Sequence, residues 1–436
     1  MQLIETDVDR RILKLAVPAF GALAAEPLYR LVDTAIVGRL GKEQLGGVAV
    51  AVSVLSLVIA GSNFLAYGTT QRVANRLGAD DRRGAADVGV QAFWLALLIG
   101  VVATPLLVLL AEPLTRLLGA DDDVLAFATT YLRISALGVP FVVAGLAAQG
   151  TQRGASDYRT SLVVLVAANV LNAGIEVVLV FGFDLGVAGA AWSTVVAQVF
   201  AGLALWWRTR PHTASAGTRR PLWSEMLPLL AAGRHLLLRV GAMLMVFTGA
   251  TSLAARIDDA TLAAHSIAVT MFLFLALTLD ALAVPAQTLV AEELGKGGPG
   301  ADEVSRRAVR LSVFIGIGLA IVLAAASPLV SRIFSNEGDV TSRATVALLF
   351  LAVMMIPGSV AFATDGSLIG AGDYEFLGRA ALGYLLAVIP IAAAVVVVDG
   401  LGIAGIWLGL LVWMTLRAAV NHRRAGLVLP APAVAQ

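Results

Sequence analysis

Apolar residues fill this chain in long stretches rather than alternating along it. Twelve stretches stand out, at 12–37, 47–71, 86–110, 124–148, 158–182, 186–207, 224–254, 262–290, 308–330, 343–369, 376–398 and 401–420. A helix rises about 1.5 Å per residue, so about 20 apolar residues cross a hydrocarbon core of roughly 30 Å. Each stretch therefore predicts one transmembrane helix, and the whole chain an all-α integral membrane fold. Most connections are short. The exception is 208–223, which holds Arg208, Arg210, Pro211, Arg219, Arg220 and Pro221. That polar segment predicts a linker between an N-terminal lobe, 1–207, and a C-terminal lobe, 224–422, with a tail at 423–436.

Basic residues between the stretches orient them. With the N-terminus in the cytoplasm, 21 Lys and Arg fall on cytoplasmic loops and flanks and 6 on outer ones, the bias that sets membrane topology. Arg417, near the end of the last stretch, and Arg423 and Arg424 just past it count here as cytoplasmic. Both termini are then cytoplasmic, and the expected location is a prokaryotic cytoplasmic membrane. The apolar stretch after Lys14 is too long for a cleavable signal and reads as the first membrane helix.

Composition agrees with lipid as the solvent. Of 436 residues, 58% are hydrophobic and only 14% charged, with a mean hydropathy of +0.86. Soluble domains carry roughly 25% charge. A net charge of +1 gives no reason to expect a nucleic-acid partner. The absence of cysteine excludes disulfides, thiolate metal sites and cysteine nucleophiles. Neither a His-Glu-x-x-His nor a Gly-x-Ser-x-Gly motif occurs, so no enzymatic centre, metal or organic cofactor is expected.

The two lobes repeat one another. Asp157-Tyr158 matches Asp373-Tyr374, and Leu185-Gly186-Val187-Ala188-Gly189-Ala190 matches Leu401-Gly402-Ile403-Ala404-Gly405-Ile406, both at an offset of 216. Gln71 meets Gln287 at the same offset, and 38–52 lies over 255–269 at 217. Six helices per half is an even number, so both halves enter from one side. The repeat is therefore parallel, and two such bundles are a known basis for alternating access.

The segment Val17–Gly41, the Gly-Ala-Gly-Asp-Tyr run at 370–374, the Leu-Gly-Val-Ala-Gly start of helix 6 and the 71–85 loop together resemble the multidrug and toxic compound extrusion (MATE) transporters, in particular their DinF-like branch. The resemblance covers essentially the whole chain. It implies two six-helix lobes around a V-shaped cavity. It also implies export of cationic or amphipathic organic compounds, driven by a proton or sodium gradient and working as a monomer in the bilayer.

Five acids fall inside the stretches away from their first turns: Glu26, Asp33, Glu176, Asp280 and Asp365. A charge at mid-membrane costs roughly 2.5–3.5 kcal/mol on insertion scales, so such acids are paired, hydrated or functional. Asp33 stands in apolar Leu31–Val37, where a carboxyl is suited to carrying a proton; satisfying a neighbouring helix is the plainer alternative. The resemblance matches Asp33 to the coupling aspartate of helix 1, and Pro18 to a proline linked to bending of that helix. Pro27 also interrupts the helix hydrogen bonds. Asn172 and Glu176, four apart on one helix face, match the family's helix-5 Asn and Asp, with a glutamate here one methylene longer. Thr194 is a further carry-over, with a hydroxyl bonded to its own helix as the plain alternative.

Glu26 and Arg30 are spaced as a local ion pair. Arg30 is also one turn from Asp33, where it would oppose a proton-carrier role. Asp280 and Asp365 are candidates for binding a cation or a cationic substrate in the second lobe. His265 is expected to make an interfacial hydrogen bond. Of the Met and Phe residues in helices 7, 8 and 10, most are expected to face lipid or fill packing gaps. A flippase for lipid-linked precursors is the rival reading; the acidic balance of the intramembrane charges favours cationic cargo.

Overall fold

The computed structural model describes residues 6–298, 300–398 and 400–430. Twelve of its helices are long and apolar enough to cross a membrane. They are α1 (Asp7–Val37), α2 (Lys42–Gly78), α3 (Arg82–Leu109), α4 (Asp123–Gly154), α5 (Tyr158–Gly182), α6 (Gly186–Thr213), α7 (Trp223–Ile257), α8 (Asp259–Gly295), α9 (Ala301–Phe334), α10 (Gly338–Gly370), α11 (Tyr374–Val397) and α12 (Gly402–Val428). All twelve predicted spans are present. Most of them extend beyond the apolar run, because a helix continues past the hydrocarbon as long as caps and polar turns complete it. The largest difference is α12, which runs to Val428 rather than ending near 420. Of the expected tail, residues 431–436 lie outside the described residues.

Several helices are interrupted where the sequence demands it. In α4 a short 3-10 turn, Ala136–Gly138, precedes Pro140, whose ring removes a hydrogen bond and displaces the preceding turn. The end of α5 widens into a π-turn, Val178–Gly182, directly after Glu176 and Val177. Such turns release backbone from the regular ladder and are frequent at functional positions.

The chain forms two compact units. One takes the chain up to Phe20 and from Arg234 onward; the other is Gly21–Gly233. Both boundaries fall inside long helices, α1 and α7, so the first helix of each half shares its length between the units. The 208–223 segment belongs to the Gly21–Gly233 unit and is pinned to α3. Gln91 donates to the Arg220 carbonyl at 2.9 Å and accepts from the Leu222 N–H at 2.8 Å, and the Trp94 indole donates to the Arg219 carbonyl at 2.9 Å.

Packing inside each unit repeats the duplication seen in the sequence. The most buried window in each half belongs to α4 and α10, 61% in both, against 22% for α5 and 17% for α11. These two helices are therefore central, and glycines let their neighbours approach. A Cβ at Gly150 of α4 would meet the Ala66 carbonyl of α2 at 2.8 Å, and one at Gly154 would meet Val73 at 2.7 Å. A Cβ at Gly366 of α10 would meet the Ala283 carbonyl of α8 at 2.2 Å, and one at Gly370 the Gln287 carbonyl at 2.4 Å. Both pairs are related by the offset of 216. Close approach through small residues is how helices associate in lipid, where water does not drive them together. Outward faces, such as Val101, Val102, Leu106 and Leu109 of α3, are exposed and apolar.

Candidate functional site

In the Gly21–Gly233 unit, polar side chains from four helices converge. Tyr29 and Asp33 are four residues apart on α1 and so share a face, as do Asn172 and Glu176 on α5. Tyr131 comes from α4 and Thr194 from α6. Asp33, Tyr131, Asn172, Glu176 and Thr194 are all buried, Glu176 completely. Asn169, one turn before Asn172, donates to the Ala25 carbonyl at 2.8 Å and ties α5 to α1.

Thr194 organises the hydroxyls. Its Oγ1 bonds the Ala190 carbonyl of its own helix at 3.0 Å, and lies 3.0 Å from the Tyr29 hydroxyl and 3.3 Å from that of Tyr131. A threonine hydroxyl has one hydrogen and two lone pairs. With the hydrogen on Ala190, both tyrosines donate to Thr194. The threonine thus makes both the bond to its own helix and a link between α1, α4 and α6.

The acids beside it are left open. Oδ1 of Asp33, both oxygens of Glu176 and both amide atoms of Asn172 are buried without a hydrogen-bond partner among the described residues. Asp33 and Glu176 are side by side, each the other's electrostatic neighbour. Two carboxylates offer one another no donor; a proton placed between them supplies one. Buried polar groups are otherwise almost always paired, so this cluster has capacity for a proton or a small polar group.

Arg30 makes its hydrogen bonds away from Asp33 but remains within electrostatic reach of it. Its Nη2 donates to Glu26 Oε1 at 2.7 Å and to Ser56 Oγ at 3.2 Å, in an exposed arrangement. The i, i+4 pair expected from spacing is therefore formed.

The unit that includes Arg234 onward holds a second polar cluster of opposite character. Asp365 on α10 is buried and accepts through Oδ2 from both Arg239 of α7 and Arg417 of α12. Its Oδ1 accepts from Asn421 at 2.5 Å, and Tyr384 donates to Asn421 at 2.8 Å. Asp365, expected to attract a cation, is thus held by two guanidiniums. Arg417, counted from sequence among cytoplasmic charges, is 3% exposed inside α12. Asp280 is half-buried on α8 and is not free. His265 is fully buried, with Nε2 at 3.2 Å from Thr251 Oγ1. Met354 and Met355 fill the core, while Met245 and Phe274 are exposed. Tyr29, Tyr131, Tyr384, Arg417 and Asn421 were not among the residues expected. The only local signals were spacings of four residues, Tyr29 with Asp33 and Arg417 with Asn421.

Duplicated bundles of membrane-length helices with buried acids are the pattern of secondary transporters. The particular family is equally plain. The MatE family profile matches residues 18–178 and 237–394, and the chain belongs to that family, which comprises transporters and not enzymes. It is 33% identical to Protein DETOXIFICATION 44, chloroplastic, of Arabidopsis thaliana, over 96% of this chain and 82% of that one. It is 28% identical to DNA damage-inducible protein F of Escherichia coli (strain K12), over 94% and 91%. A crystal structure of MATE in the bent conformation has the same fold, with a TM-score of 0.90 at 22% identity, over 98% of this chain and 97% of that one.

Proposed function

We propose that this chain is a proton-coupled antiporter of the DinF-like branch. It exports cationic or amphipathic organic compounds across a prokaryotic cytoplasmic membrane, with both termini in the cytoplasm. The observation that carries the reading is the buried pair Asp33 and Glu176, with Asn172 beside it, open to a proton. The similarity to DNA damage-inducible protein F supports the branch, and that to Multidrug resistance protein PmpM of Pseudomonas aeruginosa supports an exported organic cargo.

A proton entering from outside binds between Asp33 and Glu176. It removes a buried charge and supplies the donor the two carboxyls lack. The Tyr29–Thr194–Tyr131 hydroxyls move with α1, because Tyr29 sits on its face. Pro18 stands just before the point where α1 passes from one unit to the other, so a bend there changes what the outer half of α1 covers. Substrate leaves outward, and the proton is released on return to the cytoplasmic side.

The test is flux in proteoliposomes. A fluorescent organic cation is followed under an imposed pH gradient, then under a sodium gradient, with Asp33→Asn beside wild type. Flux driven by the pH gradient and absent in Asp33→Asn is expected. Flux driven by sodium alone overturns the proton reading. Absence of flux with either ion, in folded protein, favours the lipid-precursor flippase.

A further inference from the structure

The segment between α6 and α7 is laid along α3 as a strap. Ser215 donates to the Arg82 carbonyl at 3.1 Å, and the Asp87 carboxylate accepts from the Gly217 and Thr218 N–H groups at 2.7 and 3.2 Å. Gln91 and Trp94 then hold the backbone of Arg219, Arg220 and Leu222. From Arg82 to Trp94 the helix rises about 18 Å, and α3 carries no charge after Asp87. The strap therefore descends from the charged rim of α3 toward its apolar part. Non-helical backbone is tolerated at such a depth where protein groups complete its hydrogen bonds, and Asp87, Gln91 and Trp94 do so here.

The strap spends its backbone on α3 and leaves its arginines outward. Arg219 and Arg220 are exposed, as are Arg82 and Arg83 at the start of α3 and Arg208 and Arg210 at the end of α6. None of the six forms an ion pair among the described residues. The nearest acids in α3 are committed: Asp81 pairs with Arg76 at 2.9 Å, and Asp87 holds the strap. Asp80 and Glu225, the other acids beside these segments in sequence, leave the balance basic. Arg210 lies 5.0 Å from the Trp206 ring centre, and Trp206 stacks on Phe93 of α3 at 5.6 Å, so the end of α6 is drawn to the same place. Deeper along α3 and α7, Leu98, Leu222, Trp223 and Leu227 are exposed. Arginines over an apolar, tryptophan-bearing face match the layering of a lipid monolayer, with phosphates above acyl chains.

We propose that the strap and the adjoining ends of α3 and α6 form a binding site for an anionic phospholipid. Arg219 and Arg220 take the headgroup phosphate, whose oxygens suit the planar guanidinium fork. The four arginines of α3 and α6 add attraction around it. The acyl chains lie against Leu98, Leu222 and Trp223. A lipid fits better than free phosphate, because the arginines stand over an apolar face that an inorganic ion leaves uncovered. The inference goes beyond the proton-coupled reading. It concerns the bilayer partner of the Gly21–Gly233 unit, and it holds whichever ion drives transport and whichever side the linker faces.

Native mass spectrometry of the full-length protein in neutral detergent tests it. Dioleoylphosphatidylglycerol and dioleoylphosphatidylcholine are added in equal amounts, and the first lipid retained is counted. Phosphatidylglycerol is expected to be retained about five-fold or more over phosphatidylcholine, the factor one basic residue near a membrane surface contributes. Arg219→Gln combined with Arg220→Gln removes most of that preference; both side chains are exposed, so the double variant is expected to fold. Arg332→Gln, at an exposed arginine of the other unit, leaves the preference unchanged. Excess inorganic phosphate at constant ionic strength does not displace the lipid. Equal retention of the two lipids by wild type, or full preference in the folded double variant, overturns the proposal. So does an equal loss in Arg332→Gln, which makes the effect one of overall charge, and so does displacement by phosphate, which makes the site one for a soluble anion.

Discussion

The two halves share a scaffold and differ in what they bury. Gly150 and Gly154 of α4 have their counterparts in Gly366 and Gly370 of α10, and each set admits the backbone or side chains of the paired helix. The residue before Gly150 is Gln149, whereas the residue before Gly366 is Asp365. Glu176 faces Ala392 at the same offset, and Asn172 faces Val388. One unit therefore buries two neighbouring carboxyls with unfilled hydrogen-bonding capacity. The other buries one carboxyl under two guanidiniums. Helix packing is set by small residues and tolerates little change. Polar groups at mid-helix are added one at a time, so each half acquires its own chemistry. Duplicated architecture does not imply duplicated sites.

The largest effect expected from this difference is at Glu176. Glu176→Gln leaves Asp33 without its carboxyl neighbour and removes proton-driven flux. Asp365→Asn, in protein that remains folded, leaves proton-driven flux in place. Flux measurements on both variants decide it, and equal loss in both erases the contrast. The shared scaffold gives the next effect. Gly366→Ala puts a methyl against the Ala283 carbonyl and is expected to cost about 1–3 kcal/mol, the usual range for overpacking. Gly150→Ala meets Ala66 at a longer distance and costs less. Thermal melting in detergent ranks the two, and the reverse order contradicts the packing account.

A smaller effect comes from the helix caps. Asp157 caps α5 through the Thr160 N–H at 3.1 Å and lies 3.7 Å from His212. Its counterpart, Asp373, instead accepts from Arg424 at 2.7 Å. The contact with His212, together with the bonds from Thr160, lowers the Asp157 pKa to about 2. A carboxylate with a depressed folded pKa stabilises the fold above its unfolded pKa and loses that contribution as pH falls through the folded value. Asp157→Ala is expected to cost about 1 kcal/mol near neutrality. The difference from wild type should shrink between roughly pH 4 and 2. An acid-unfolding series checks it; a difference that persists unchanged at the acid end contradicts the assignment.

Much of the fold was legible because a membrane helix is a long signal. Twenty apolar residues in a row outweigh local exceptions, and duplicated glycines survive as fixed offsets. Helix ends were less legible. Arg417 was counted among the cytoplasmic charges at the end of the last span, yet it is buried in α12, where Asp365 accepts from it and two aromatic rings face its guanidinium. Its partner is 52 residues away in sequence, beyond any periodicity. The site was half legible for the same reason. Asn172 with Glu176, and Glu26 with Arg30, are spacings within one helix. Tyr131, Tyr384 and Asn421 reach their partners only through tertiary packing, and an isolated tyrosine in an apolar helix looks like any other core residue.

The central claim is that the transported proton resides on the carboxyls of α1 and α5. Infrared difference spectra between two pH values on the purified protein test it most directly, because a protonated carboxyl has its own C=O stretching band. The account predicts a titrating band that disappears in Asp33→Asn and in Glu176→Gln and persists in Asp365→Asn. A band that survives both changes and vanishes with Asp365→Asn would place the proton in the other unit and contradict it.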